Sequence, residues 1–83
     1  MTTIEEQKSD VNLAREIGQT AFFDGKSIDY KLNSKAMELI GKYKTDDNKY
    51  RSVMIAIVYA YTNGWTTGYT QTNRIMRDRA VNN

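Results

Sequence analysis

Residues 52–73 read SVMIAIVYAYTNGWTTGYTQTN and contain no charged side chain. All 22 charged residues of the 83-residue chain lie outside this stretch. Small residues recur in it every fourth position: Ser52, Ala56, Ala60, Gly64, Gly68 and Thr72. On a continuous helix these form one slightly inclined stripe, because four residues slightly exceed a turn of about 3.6. Ala56, Ala60, Gly64 and Gly68 are the expected points of close helix packing. A second series runs Tyr50, Met54, Ile57, Tyr61 and Trp65, then Tyr69, Thr72 and Met76. Its spacings of three and four fit a packed helical seam. Two glycines and five threonines between 62 and 72 weigh against continuity, each glycine costing about 1 kcal/mol relative to alanine. The expected element is therefore a long C-terminal helix over about 48–80, continuous or kinked at Asn63-Gly64.

Moving toward the N-terminus, Lys44–Asn48 is a polar loop in which Asp47 or Asn48 serves as the next helix cap. Helix 2 is expected over about 34–43, with Asn33 or Ser34 as cap and Ala36, Met37, Leu39, Ile40 and Tyr43 as its apolar face. In residues 26–32, Ile28, Tyr30 and Leu32 alternate with polar residues, a strand-like pattern. Asp24-Gly25 is able to turn a hairpin within 20–32. An isolated hairpin is marginal, so an extended connector over 25–33, packing these three side chains on the helices, is preferred. Helix 1 is expected over about 3–24. Thr3 followed by Glu6 matches a capping box, and Gly25 suits a left-handed cap. The fold class is all-α: a single domain over 1–83, a small bundle of three to four helices.

A helix uncharged on all sides is expected to be buried on all sides. One copy of helices 1 and 2 hardly covers such a helix, so homo-oligomerisation is expected to complete the bundle. A membrane span is not expected. Only Val53–Tyr61 is truly apolar, and Asn63, Gln71 and Asn73 are costly in hydrocarbon.

Composition excludes most chemistry. The chain has no cysteine and no histidine, hence no disulfide, no thiol nucleophile and no imidazole ligand or base. No catalytic constellation, cofactor motif or metal site is found. Asp46-Asp47-Asn48 lacks the spacing of a calcium loop, and no phosphate-binding GK[ST] follows Gly68. The N-terminus is acidic and polar, unlike a signal or transit peptide, and a cytoplasmic location is the default expectation.

Charge is split. Residues 1–33 carry four bases against six acids, and residues 34–83 eight bases against four acids. Arg74, Arg77 and Arg79 fall near the C-terminus, shortly after Tyr59, Tyr61, Trp65 and Tyr69. These seven are the candidate interface or ligand residues. Aromatics and arginine anchor protein interfaces; they also stack on bases and pair with phosphate. In composition the chain resembles small bacteriophage accessory proteins: short, rich in Asn, Thr, Tyr and Lys, and without a catalytic centre. That resemblance implies a non-enzymatic interaction protein that binds and inhibits or regulates a host or phage component. The alternative is an oligomer that sequesters a nucleotide signal. A DNA-binding domain ranks third, because residues 52–73 offer no basic recognition face.

Overall fold

The computed structural model describes residues 2–82, with side-chain surroundings through Arg77. Three helices follow one another: α1 (Ile4–Phe23), α2 (Ser34–Lys42) and α3 (Arg51–Asn82), with a 3-10 turn at Tyr30–Leu32. No strand occurs among the described residues. The fold is all-α and elongated, 57 × 24 × 14 Å.

Each element starts and stops for a local reason. Thr3 Oγ1 accepts from the Glu6 amide at 3.1 Å and caps α1. Gly25, at φ +73°, ends it. Lys26 N–H donates to Ala21 O at 2.8 Å and Gly25 N–H to Phe22 O at 3.0 Å, the paired bonds of a Schellman cap. Asn33 Oδ1 accepts from the Ala36 amide at 3.0 Å and caps α2.

The connector differs from its expected form. Asp29 Oδ1 accepts from the Lys31 amide at 3.1 Å and winds residues 30–32 into a 3-10 turn rather than an extended strand. Tyr30 packs on the core, but Ile28 is exposed and Leu32 is 75% exposed. The expected start of the last helix is also corrected. Asn48 adopts φ +53°, a left-handed conformation that cannot begin a right-handed helix. Asp47 instead holds the preceding turn, accepting from Thr45 Oγ1 and the Lys49 amide. α3 therefore begins at Arg51.

From there α3 is one helix through Asn63-Gly64. The glycines are used for contact. A Cβ on Gly64 would sit 2.0 Å from Arg15 O, and a Cβ on Gly18 2.0 Å from Tyr61 O. The two backbones thus touch where each helix lacks a side chain. One on Gly68 would lie 2.9 Å from the Phe22 ring. Gln19 Nε2 donates to Gln71 Oε1 at 3.2 Å, Ile4 and Val11 share a groove with Ser52, Val53 and Ala56 near the start of both helices, and Phe22 meets Trp65 and Tyr69 further along. α1 and α3 are therefore parallel, and α2 returns between them. The partner helix that the small stripe requires is α1 of the same chain.

Close helices leave room for small core residues. Ala14 and Ala60 pack with Leu39, Tyr43 and Ile57, while Ala21 and Ala36 surround Tyr61. Among the described residues only Tyr43, Tyr61 and Ile57 are large and fully buried. The expectation that residues 52–73 are buried on all sides is not met within one chain. Ile55, Tyr59, Asn63, Thr66 and Thr70 are exposed on the side of α3 away from α1. That side is uncharged because it carries threonine, asparagine and aromatic residues, not because it is covered.

Gly64→Ala or Gly18→Ala should lower unfolding stability by about 1–3 kcal/mol, since the clash is with backbone that cannot rotate away. Gly41, on α2, has open space around its Cβ position. Gly41→Ala should raise stability by about 0.5–1 kcal/mol through helix propensity alone. Urea midpoints of the three variants check both signs.

Candidate interaction surface

α1 stops at Phe23, while α3 continues to Asn82. An aromatic ledge marks the step. The Phe22 ring meets Phe23, Trp65 and Tyr69 edge-on, with centroids 5.3, 5.1 and 6.0 Å away. Trp65 and Tyr69 stack at 5.9 Å with planes 10° apart. Trp65 Nε1–H donates to Lys26 O at 3.0 Å, which fixes the indole against the cap of α1. The ledge stays open to solvent: Phe23 is 60% exposed and Tyr69 49%. Past Tyr69, Thr72 is half-buried, and Ile75 and Met76 are exposed. Residues 72–82 extend about 17 Å beyond the last contact with α1 at about 1.5 Å per residue.

Helical spacing sorts the candidate residues. Trp65, Tyr69, Thr72 and Met76 fall within a sector of about 60° on α3, whereas Arg74 lies about 180° from Trp65. Arg74 and Arg77 are exposed. One ligand therefore cannot stack on Trp65 and pair with Arg74 in the same chain. The side chain of Arg79 lies outside the described residues.

Tyr61 is not at the surface. It is fully buried; its hydroxyl donates to Ser27 O at 2.7 Å and accepts from Asn33 Nδ2 at 3.5 Å. Burial pushes the phenol above its ordinary range. It ties the connector and the α2 cap to α3. Tyr59 is 65% exposed on a different part of α3. It edges an apolar groove lined by Tyr30, Ile40, Met54, Ile55 and Val58. Ala56 faces the other side, in a shallow groove with Ile4, Val11 and Val53, while Ala60, Gly64 and Gly68 are buried.

A second polar cluster was missed by sequence reasoning. Asp10 is buried and accepts a short hydrogen bond from the Tyr43 hydroxyl. Lys42 Nζ bridges Asp10 Oδ2 and Glu6 Oε1, each at 2.8 Å. The cluster ties the first half of α1 to the end of α2. A signal was present: Asp10 precedes Ala14, Gly18 and Ala21 at helical spacing, so it falls on the buried face. Burial pushes the Asp10 carboxyl up, but hydrogen bonds from Lys42 and Tyr43 and the Lys42 charge outweigh it, leaving it below its usual value. Burial, then the Asp10 contact, raises the Tyr43 phenol to about 12. Hydrogen bonds to Asp10 and Glu6 raise Lys42. Every shift moves its group away from neutrality, opposite to the tuning of an acid–base catalyst.

Among the described residues no group of three or more acidic, histidine or cysteine side chains is placed to hold a metal, and no helix is long and apolar enough to cross a membrane. Comparison with known protein families, with characterised proteins and with solved structures gave no match.

The Asp10 cluster sets a pH signature. Tyr43 titrates near 10 when unfolded and about 12 when folded, so its contribution is fully present below pH 10 and is lost as pH rises toward 12. The urea midpoint should fall over this window, and Tyr43→Phe should flatten that fall. Asp10→Ala leaves the buried Tyr43 hydroxyl without its acceptor and should cost about 1–3 kcal/mol at neutral pH.

Proposed function

We propose that the chain is a non-enzymatic protein-interaction module that inhibits or regulates a partner protein, and that it self-associates. This is the role of the small bacteriophage accessory proteins that it resembles in composition. One observation carries the proposal: an exposed aromatic ledge continues onto residues 73–77 of α3, all of them exposed. Phe23, Tyr69 and Met76 supply rotamer-limited or adaptable apolar anchors of the kind that dominate interface energetics. The exposed face above them is free of charge, as interface centres are. The nucleotide alternative is weakened by the opposed directions of Trp65 and Arg74 on α3.

The test is Tyr69→Glu combined with Met76→Glu. Both side chains are exposed, so far-ultraviolet circular dichroism should be unchanged. Sedimentation should show weaker self-association, and affinity capture from the producing cells should lose its specific partner, each by roughly tenfold or more. Unchanged behaviour in both assays contradicts the proposal.

A further inference from the structure

The uncharged tract 52–73 carries a second apolar surface, where α3 faces α2. A groove of about 440 Å³ runs between the two helices. Its apolar lining is Ile40 of α2, Tyr30 of the connector, and Met54, Ile55, Val58 and Tyr59 of α3. Ile55 and Tyr59 are exposed, as is Met37, three residues before Ile40 on α2. Among the described residues the one charged lining group is Arg51, at the start of α3. The connector separates this groove from the aromatic ledge, since Lys26 O and Ser27 O hold Trp65 and Tyr61. We propose that the groove is a second docking site, whose occupant is an amphipathic helix of another protein with a carboxylate at the end that meets Arg51. This site lies beyond the ledge reading and does not depend on it.

Arg51 decides the chemistry of the occupant, because the fold does not account for it. As the first residue of α3 it places a cation at the positive end of the helix dipole. Among the described residues the ion pairs are those of Lys42 with Glu6 and Asp10, so Arg51 has no acidic partner. The adjoining loop is balanced, Lys44 and Lys49 against Asp46 and Asp47, so Arg51 sets the sign at this end. A guanidinium takes a carboxylate bidentately, and its aliphatic stem lies along apolar surface. Arg51 to Tyr59 spans about 12 Å, or about two turns of helix. That length takes partner side chains at i, i+4 and i+7, with the acid just beyond them.

A second copy of the chain does not supply that helix. Ile75 and Met76 are exposed but stand beside Arg74 and Arg77, which would bring like charge to Arg51. Ile4 is exposed beside Glu5, yet Val11, the next apolar residue on its side of α1, is packed on the core. Leu13 is exposed, and Ile17, one turn on, is packed on the core. Two grooves set face to face leave both unfilled. One cation is also too little for an anionic lipid surface, which draws on clusters of basic residues. An apolar, charge-free centre with an arginine at its edge is the composition of a protein-binding site.

The probe is a stapled helical peptide with leucines at i, i+4 and i+7 and two glutamates at one end; a sister peptide carries lysines in their place. Methyl-labelled methionine reports the site by nuclear magnetic resonance, since Met54 lines the groove and Met76 lies beside the ledge. The glutamate peptide should shift the Met54 methyl and leave Met76 unmoved. The lysine peptide should bind about tenfold more weakly, and Arg51→Glu should reverse that order. The variant puts an acid in the first turn of α3, which the dipole favours, so helicity should hold. No shift of Met54 at millimolar peptide, or equal affinity of the two peptides for the unaltered chain, overturns the proposal. So does a Met54 shift that follows protein concentration without peptide, which means that a second copy fills the groove. A shift of Met76 in place of Met54 overturns it too and leaves the ledge reading standing. In Tyr69→Glu with Met76→Glu the Met54 response should persist; its loss there, with helicity intact, contradicts a separate site.

Discussion

Backbone contact between α1 and α3 at Gly18 and Gly64 is the constraint on which the rest of the structure depends. With Tyr61 O and Arg15 O occupying the space of the two missing Cβ atoms, the helices cannot carry larger residues at these points. The neighbouring core positions follow the same rule, being alanine at 14, 21 and 60. The two helices run parallel, so the chain must travel back between them. α2 is that return, and Tyr43 and Tyr61 fill the volume it encloses. Glycine lowers helix propensity by about 1 kcal/mol per site, and the close packing it permits offsets that loss. The continuity of α3 through Asn63-Gly64 has the same cause, assisted by Thr62 and Thr67, whose hydroxyls donate to Val58 O and Asn63 O.

The inequality between α1 and α3 makes the surface. α1 has 20 residues and α3 has 32, and both begin at the same end of the bundle. The excess length therefore emerges at one place, beside the Schellman cap of α1. An isolated helix end gains little from its own hydrogen bonds, so an exposed Tyr69, Ile75 and Met76 there call for cover. The Asp10–Lys42–Tyr43 cluster lies at the opposite end of α1 and serves a different purpose. It replaces water around a buried carboxylate with two protein contacts, from Lys42 and Tyr43, holding α2 in place while leaving the ledge unobstructed.

Much of this was legible in the residues, for identifiable reasons. The caps at Thr3, Gly25 and Asn33 are local chemistry and act within a few residues of chain. The fourfold repeat of small residues in α3 showed that a helix would approach closely. It did not show that the helix would be α1, because Gly18 is a single glycine in a long apolar pattern and gives no direction. Alternation at Ile28, Tyr30 and Leu32 misled, since the Asp29 cap overrides it within three residues. Tyr61, Trp65 and Tyr69 share the packed seam read from the spacing and Tyr59 does not, but spacing alone did not say which of them the chain buries. Their fates diverge through their angular positions on α3, which depend on which sector α1 and α2 occupy. Asp10 was overlooked because a carboxylate in an early helix turn reads as dipole compensation until its buried face is known.

Packing within the chain uses one sector of α3, and the proposed self-association would use the exposed residues beyond it. Native-state hydrogen exchange tests this account most directly, at two protein concentrations. Amides in α1 and in residues 52–68 of α3 should be equally protected at both. Amides of residues 72–77 should gain protection as concentration rises, because their cover comes from another molecule. Contradiction would be exchange of residues 72–77 at the same unprotected rate at both concentrations, leaving these residues without a partner in solution.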